Sequence, residues 1–244
     1  MSLPLIYTSL ENQKKAEEIA SNLGTYATDN QALKNQPHLE VSAKGLSFFH
    51  PKARSSKKLR IDFNSGRIQW RIKRANHEKL IKKALGKRET SLNILDCSAG
   101  LLQDGLLFLT LGHNVTALEQ SKILFYLLKD GISRSENQSI FEKFNLINTT
   151  AYKYIDKASA YDVIYFDPMY PINKKNALSS GQLEYIARIL EVEMINNHPQ
   201  KDFACLQSSF KKKIIVKRPI KSEPFSKNIN YQVFGKTTRF DVYV

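Results

Sequence analysis

The sequence predicts an α/β protein: a mostly parallel, Rossmann-like sheet with an antiparallel C-terminal hairpin, preceded by a small N-terminal α+β subdomain. Three observations predict it. From Ser91 onward, apolar strands alternate with amphipathic helices, the pattern of a parallel sheet covered on both faces. The first of those strands runs into a small turn, Ser98-Ala99-Gly100, at the start of a helix, where α/β sheets bind ligands. Before Ser91 the runs are shorter, alternate with period two, and are broken by Lys44-Gly45 and Asn64-Ser65-Gly66. The expected division is a basic subdomain over residues 1–88 and a ligand-binding domain over 89–244.

Taken in order, Leu3 to Tyr7 is a short apolar strand. Thr8-Ser9-Leu10-Glu11 has the capping-box pattern that opens a helix, which Gly24 can end. Leu39/Val41, Phe48, Leu59/Ile61/Phe63 and Ile68/Trp70/Ile72 then alternate with polar residues and predict a small antiparallel sheet. On its last strand, Ile68, Trp70 and Ile72 would face the core, leaving Arg67, Gln69 and Arg71 on a basic outer face. A helix is expected from about Asn76, with Leu80, Ile81, Ala84 and Leu85 on one face and Gly86 as its stop.

Beyond Ser91 the parallel strands are Leu92 to Cys97, Val115 to Glu119, Phe144 to Thr149, Asp162 to Phe166 and Lys213 to Lys217. Helices are expected at Asp104 to Leu111, Ser121 to Ser135, about Gly181 to Glu193 and Lys201 to Phe210. Tyr231 to Phe234 and Arg239 to Val244, joined by Gly235-Lys236-Thr237-Thr238, read as the closing hairpin.

The charge is unevenly placed. Of a formal +14, residues 44–88 carry 15 lysines and arginines against 2 acids and residues 211–244 carry 9 against 2, while the rest is slightly acidic. A polyanion is the expected partner. An anionic membrane surface is disfavoured, because neither basic block reads as a helix with a bulky apolar face. No apolar stretch reaches the roughly 18 residues of a membrane span, and residues 1 to 7 lack a signal-peptide pattern, so a cytoplasmic chain is expected. Cys97 and Cys205 form no CxxC pair and have no histidine at a ligand spacing, which points away from disulfides and metal. The five histidines show no nucleophile or metal pattern either.

Two strand ends carry the chemistry. At the first, Asp96-Cys97-Ser98-Ala99-Gly100-Leu101-Leu102-Gln103-Asp104 offers close backbone approach and the free N–H groups of a helix start. Glu119 follows 23 residues after Asp96, where a carboxylate can take both ribose hydroxyls of an adenosine cofactor. That spacing fits a dinucleotide or S-adenosylmethionine equally well. At the fourth parallel strand, Tyr161-Asp162-Val163-Ile164-Tyr165-Phe166 runs into Asp167-Pro168-Met169-Tyr170-Pro171, beside the first turn if the sheet is doubly wound.

These residue types suit transfer of a methyl group to an exocyclic base amine, whose lone pair is delocalised into the ring. Asp167 can accept one N–H and a backbone carbonyl near Pro168 the other, turning the lone pair toward the methyl group. Proline stiffens the loop, and Tyr170 offers a face on which a base can stack. Asp167 can also take the released proton. The loop resembles the Asp/Asn-Pro-Pro-aromatic loop of amino methyltransferases, with Met169 at the second proline. A third group, Lys211-Lys212-Lys213-Ile214-Ile215-Val216-Lys217-Arg218-Pro219, would bring Lys217 and Arg218 to the same edge, suited to phosphates.

Over roughly residues 44–244 the chain resembles the ribosomal small-subunit RNA methyltransferase J family, whose members methylate the N2 amine of a guanine in 16S rRNA. The resemblance rests on Leu95-Asp96 with Ala99-Gly100-Leu101 and Asp104, on Leu118-Glu119, on Asp167-Pro168-Met169-Tyr170-Pro171, on Val216-Lys217-Arg218-Pro219, and on Arg239-Phe240-Asp241-Val242-Tyr243. It implies a class I methyltransferase sheet binding S-adenosyl-L-methionine, with 16S rRNA or the small subunit as partner. The implied cofactor site comprises Asp96, Gly100, Gln103, Asp104, Glu119, Gln120, Thr150, Ala151 and Asp167. Leu102 stands where the family has glycine, and Gln103 and Gln120 where it has arginine, making the first turn bulkier and less basic. Arg74-Ala75-Asn76-His77 replaces a glycine-rich stretch.

The expected reaction is therefore guanine-N2 methylation, with Asp167, Pro168 and Tyr170 catalytic and Arg67, Arg71, Arg74, Lys217 and Arg218 on RNA. An adenine-N6 nucleic-acid methyltransferase is the alternative within enzymes. A non-catalytic rRNA-binding or assembly factor with a degenerate cofactor site is the alternative outside them. A nicotinamide oxidoreductase ranks third, since nothing at the fourth strand resembles a hydride-transfer acid or base.

Overall fold

A computed structural model describes residues 3–54, 57–87, 90–168 and 181–244. In chain order the first half contains β1 (Leu5–Tyr7), α1 (Gln13–Leu23), β2 (Ala27–Thr28), β3 (His38–Ser42), β4 (Gly45–Phe49), α2 (Gly66–Lys73), α3 (Lys79–Leu85), β5 (Asn93–Asp96), α4 (Gln103–Thr110) and β6 (Asn114–Leu118). There follow α5 (Lys122–Ser133), β7 (Phe144–Ile147), α6 (Ala151–Tyr154), β8 (Val163–Phe166), α7 (Gly181–Val192), α8 (Pro199–Ser209), β9 (Lys213–Pro219), β10 (Tyr231–Phe234) and β11 (Thr238–Tyr243). Contacts group β1 to β4, α1, α5 and α7 into one compact unit and the remaining elements into another.

The first unit is built on a four-stranded sheet of order β2-β1-β3-β4. Only β3 and β4 pair antiparallel, through Leu39 opposite Phe48 and Val41 opposite Leu46, with Gly45 supplying the positive φ of 99° that their turn requires. β1 pairs parallel to both β2 and β3, so the sheet is mixed, because α1 carries the chain back between β1 and β2 as a crossover. The capping box does not form. Ser9 precedes a 3-10 turn without bonding its backbone, and Asn12 donates to Ser9 Oγ instead. Gly24 ends α1 in the left-handed region as expected.

Two expected strands are absent. Leu59 makes a single bridge to Phe48, and Ile68, Trp70 and Ile72 lie on α2, not on a ribbon. Ile68 and Ile72 are four residues apart, so they share one helix face and both are half-buried, while Trp70 points away and is 62 % exposed. An apolar residue at every second position satisfies both periods over so short a segment. Asn64-Ser65-Gly66 then serves as a helix start, with Ser65 extended at the N-cap.

In the second unit, seven strands run β10-β11-β9-β8-β5-β6-β7. β7, β6, β5, β8 and β9 are parallel, and β10 turns into β11, which joins β9 antiparallel. This is the expected mostly parallel sheet with its closing hairpin. Strand order reverses at β5, so the crevice between the ends of β5 and β8 is the topological switch point. One face buries Leu95, Ile164, Phe166, Ile214 and Val216 against Phe203, Leu206 and Phe210 from α8 and its C-terminal end. The alternate residues face the other way, and there Tyr165 meets Phe108 of α4 edge-on at 5.0 Å. Among the described residues no helix is long and apolar enough to cross a membrane.

Candidate active site

The carboxyl ends of β5 and β8 are pinned together. The Cys97 N–H donates to the Tyr165 carbonyl at 2.9 Å, and the Asp167 N–H donates to Ser98 Oγ at 2.7 Å. Asp96 is buried and accepts the Ser98 N–H at 3.0 Å. Burial pushes its carboxyl up to about 7; Ser98 opposes the shift, and the nearby charges of Asp104 and Asp167 add to it. The two strand ends thus meet through Ser98, which the sequence reading passed over although it sits inside the first motif.

The turn after β5 solves the problem of its bulky residue. Leu102 occupies the left-handed region at φ 57°, a conformation costing a non-glycine residue roughly 1–2 kcal/mol. Its side chain is fully buried, which offsets that with about 1.5–3 kcal/mol. Gly105 makes room: a Cβ there would come within 2.7 Å of Leu102 Cδ1 and 3.4 Å of Asp96 Oδ2. The leucine therefore points inward and leaves the outer surface of the turn open. Gly100, at φ 52°, has nothing closer than 3.8 Å to a built Cβ.

Glu119, buried at the end of β6, accepts the Gly100 N–H through Oε2 at 2.9 Å. Asn148 donates to the Glu119 carbonyl at 2.8 Å, and Gln120 reaches Asn197 at 2.6 Å. Thr150 caps α6 by accepting the Lys153 N–H, with Ala151 buried behind it. Pairing of Leu118 with Ile147 places these two strand ends side by side. Asp96, Gly100, Glu119, Gln120, Thr150 and Ala151 accordingly line the ends of three adjacent strands.

Beside them lies a network of opposed charges. Asp104, one residue into α4, receives Arg71 Nη2 at 2.7 Å on Oδ1, and both Tyr165 Oη and Lys217 Nζ at 2.7 Å on Oδ2. Gln103 accepts Arg71 Nη1 at 3.4 Å. Lys217 also donates to Asp167 Oδ2 at 2.8 Å, because pairing of Phe166 with Val216 sets residues 167 and 217 level. Burial alone would raise the Asp104 carboxyl, but Lys217 and Arg71 hold it below the usual carboxylate range. Burial would likewise lower Lys217, and the two carboxylates drive it well above an ordinary lysine instead. Asp167 is raised, by burial first and by Asp104, with Lys217 opposing; its side chain keeps 32 % of its surface.

The residues expected on RNA divide. Arg71 and Lys217 point inward to Asp104, so both are held by carboxylates at ion-pair distance. Arg218 is buried, with its guanidinium 3.9 Å over the Phe225 ring and a bond to the Glu223 carbonyl, so its charge is turned toward protein. The alternation of β9 sends Lys217 and Arg218 to opposite faces, which a run of consecutive cations conceals. Arg67 and Arg74 are exposed. Pro168 is buried; Met169 and Tyr170 lie outside the described residues.

The donor set fits an adenosine cofactor with a charged amino-acid tail. Glu119 supplies a buried acceptor at the second strand end, and α4 begins without a side-chain cap, offering first-turn N–H groups to a carboxylate.

Comparison with known proteins agrees. A family model described as "Putative SAM-dependent methyltransferase" matches residues 23–244. The chain is 30 % identical to ribosomal RNA small subunit methyltransferase J of Thioalkalivibrio sulfidiphilus, over 98 % of this chain and 96 % of that protein. Its counterpart in Francisella tularensis subsp. novicida is 34 % identical over 78 % of this chain and 81 % of that protein. In fold, a crystal structure of a SAM-dependent methyltransferase from Neisseria gonorrhoeae covers 99 % of this chain and 95 % of its own, with TM-score 0.66 and 24 % identity. The cofactor is accordingly S-adenosyl-L-methionine. The chain belongs to the ribosomal RNA small subunit methyltransferase J family of S-adenosylmethionine-dependent methyltransferases.

Proposed function

We propose that this protein methylates the N2 amine of a guanine in 16S ribosomal RNA. The observation carrying this reading is the seat of Asp167: a carboxylate at the switch point, tied through Ser98 to the cofactor turn and through Lys217 to Asp104. The substrate class comes from the names of the two relatives, both small-subunit rRNA methyltransferases.

Glu119 would take the ribose hydroxyls, and Asp96, Gly100, Gln103 and Asp104 would form the wall for the methionine end. Gln120, Thr150 and Ala151 would border the adenine. When bound, S-adenosylmethionine supplies an electrophilic methyl group on a sulfonium leaving group. The protein's task is then positioning. Asp167 Oδ2 is occupied by Lys217, so the other carboxylate oxygen is the acceptor for an amine N–H, and a carbonyl near Pro168 takes the second. This turns the nitrogen lone pair toward the methyl group. Asp167 then receives the proton lost from nitrogen, a transfer helped by its raised pKa. Tyr170 would stack on the base. Arg71 and Lys217 serve as counter-ions to Asp104 and Asp167, and Arg67 and Arg74 remain for phosphates.

Nucleoside mass spectrometry of small-subunit rRNA from cells with and without the gene tests this. The expected result is loss of one N2-methylguanosine; loss of N6-methyladenosine, or no change, overturns it.

A further inference from the structure

We propose that α2 is an RNA-docking helix and that Trp70 is a stacking platform for an unpaired base near the target nucleotide. The inference rests on the RNA reading above and adds a contact to it. Trp70 is 62 % exposed, a large apolar surface left in water. Within Gly66–Lys73 there is no acidic residue, while Arg67 and Lys73, with Arg74 just beyond, are exposed and cationic. Arg67, Trp70 and Arg74 recur at the spacing of one helix face. The Arg74 guanidinium stands 4.9 Å from the indole centroid, and the ring keeps its exposure even so.

An exposed indole among arginines, with no acid on the helix, matches the chemistry of a single-stranded nucleic acid: a π-face for a base and cations for the flanking phosphates. An apolar protein groove would need a wider patch. Here the only other large apolar side chains of α2, Ile68 and Ile72, are half-buried on the opposite side. The helix is also fixed beside the chemistry. Arg71, the neighbour of Trp70, bonds Asp104 at 2.7 Å, Asp104 bonds Lys217 at 2.7 Å, and Lys217 bonds Asp167 at 2.8 Å. RNA lying along α2 therefore passes close to the amine-holding carboxylate, and RNA-specific enzymes read unpaired, splayed bases.

Trp70 is the sole tryptophan of the chain, so selectively excited tryptophan emission reports on it alone. The full-length protein is titrated with a 5′-labelled, mixed-sequence single-stranded RNA of about 12 nucleotides, following label anisotropy and tryptophan emission together. Emission should be quenched along the same isotherm as anisotropy. Trp70→Ala should weaken binding and raise KM for 16S rRNA about tenfold, with kcat unchanged, and Trp70→Phe should restore both to near wild type. Binding by anisotropy with unchanged emission, or wild-type KM in Trp70→Ala, overturns the inference and leaves the RNA methyltransferase reading intact. Absence of both RNA binding and rRNA methylation overturns that reading and this inference together.

Discussion

Asp130, buried, and Asp104, with 11 % of its side chain exposed, are carboxylates met by the same kinds of partner, a lysine, an arginine and one neutral donor, yet the proposed function gives them different work. In the first unit, Asp130 takes Lys15 at 2.6 Å, Arg134 at 2.8 Å and the Leu46 N–H at 2.9 Å. Gly45 leaves space for it, since a Cβ there would overlap Arg134 Nε and Asp130 Oδ2. Arg134 passes on to the Ile61 carbonyl at 2.6 Å. The cluster therefore reaches backbone at Leu46 and Ile61 and staples α5 to β4. In the second unit, Asp104 shares its lysine with another carboxylate, Asp167, which stays partly open at the sheet edge. On the proposed reading, what separates a staple from a working site is not charge but whether the network hands an acceptor to the surface.

Breaking each cluster at its centre separates the two roles. Asp104→Ala leaves Tyr165 Oη buried without its acceptor and sets Arg71 beside Lys217 with one anion fewer. We expect a stability loss of about 3 kcal/mol together with loss of cofactor binding. Asp130→Ala should lose about 2 kcal/mol, because Lys15 is 44 % exposed and Arg134 retains Ile61, and its kcat at a permissive temperature should stay at the wild-type value. Urea denaturation with single-turnover assays checks both. Equal loss of kcat in the two variants would erase the distinction.

A smaller effect tests the shared lysine. Lys217→Met removes the cation that opposes the rise of the Asp167 carboxyl, so that carboxyl should move higher still. The acceptor then keeps its proton to higher pH than in the wild type, and kcat should fall on the order of 100-fold at the acid end of the profile. The variant's kcat should recover as pH rises through the new, higher pKa, while the wild type stays flatter. Parallel pH profiles would show that Lys217 only packs.

A further test concerns Asp96. Its folded carboxyl sits at about 7, against roughly 3.9 in an unfolded chain. Between those values only the folded state holds the proton, so this group's contribution to stability falls as pH rises from about 4 to 7 and levels off above. Asp96→Asn should remove that slope, and the wild type minus variant difference in urea midpoint should shift between pH 5 and pH 8. An unchanged difference would contradict it.

Much of the sheet was legible because each strand is an apolar run ended by a carboxylate or a turn, as at Asp96, Glu119 and Asp167. The charge network was not. Lys217 and Arg71 read as cations for phosphate because a sequence shows charge without direction; only the register of β8 against β9 turns Lys217 onto Asp167. Tyr165 reads in sequence as one residue of a strand, and its hydroxyl matters only because α4 brings Asp104 over it. Leu102 looked like an obstruction until Gly105, three residues on, proved to be the cavity that receives it. Trp70 was placed in the core by a two-residue period that a short helix also satisfies.

The central claim is that Asp167, at the border of the cofactor site, acts chiefly by presenting the amine. The most direct measurement compares wild type and Asp167→Ala by calorimetry with S-adenosylmethionine and by single-turnover methyl transfer to 16S rRNA. The account predicts a dissociation constant within about threefold of wild type and transfer reduced by at least roughly 1,000-fold. Transfer at the wild-type rate, or cofactor binding lost along with activity, would contradict it.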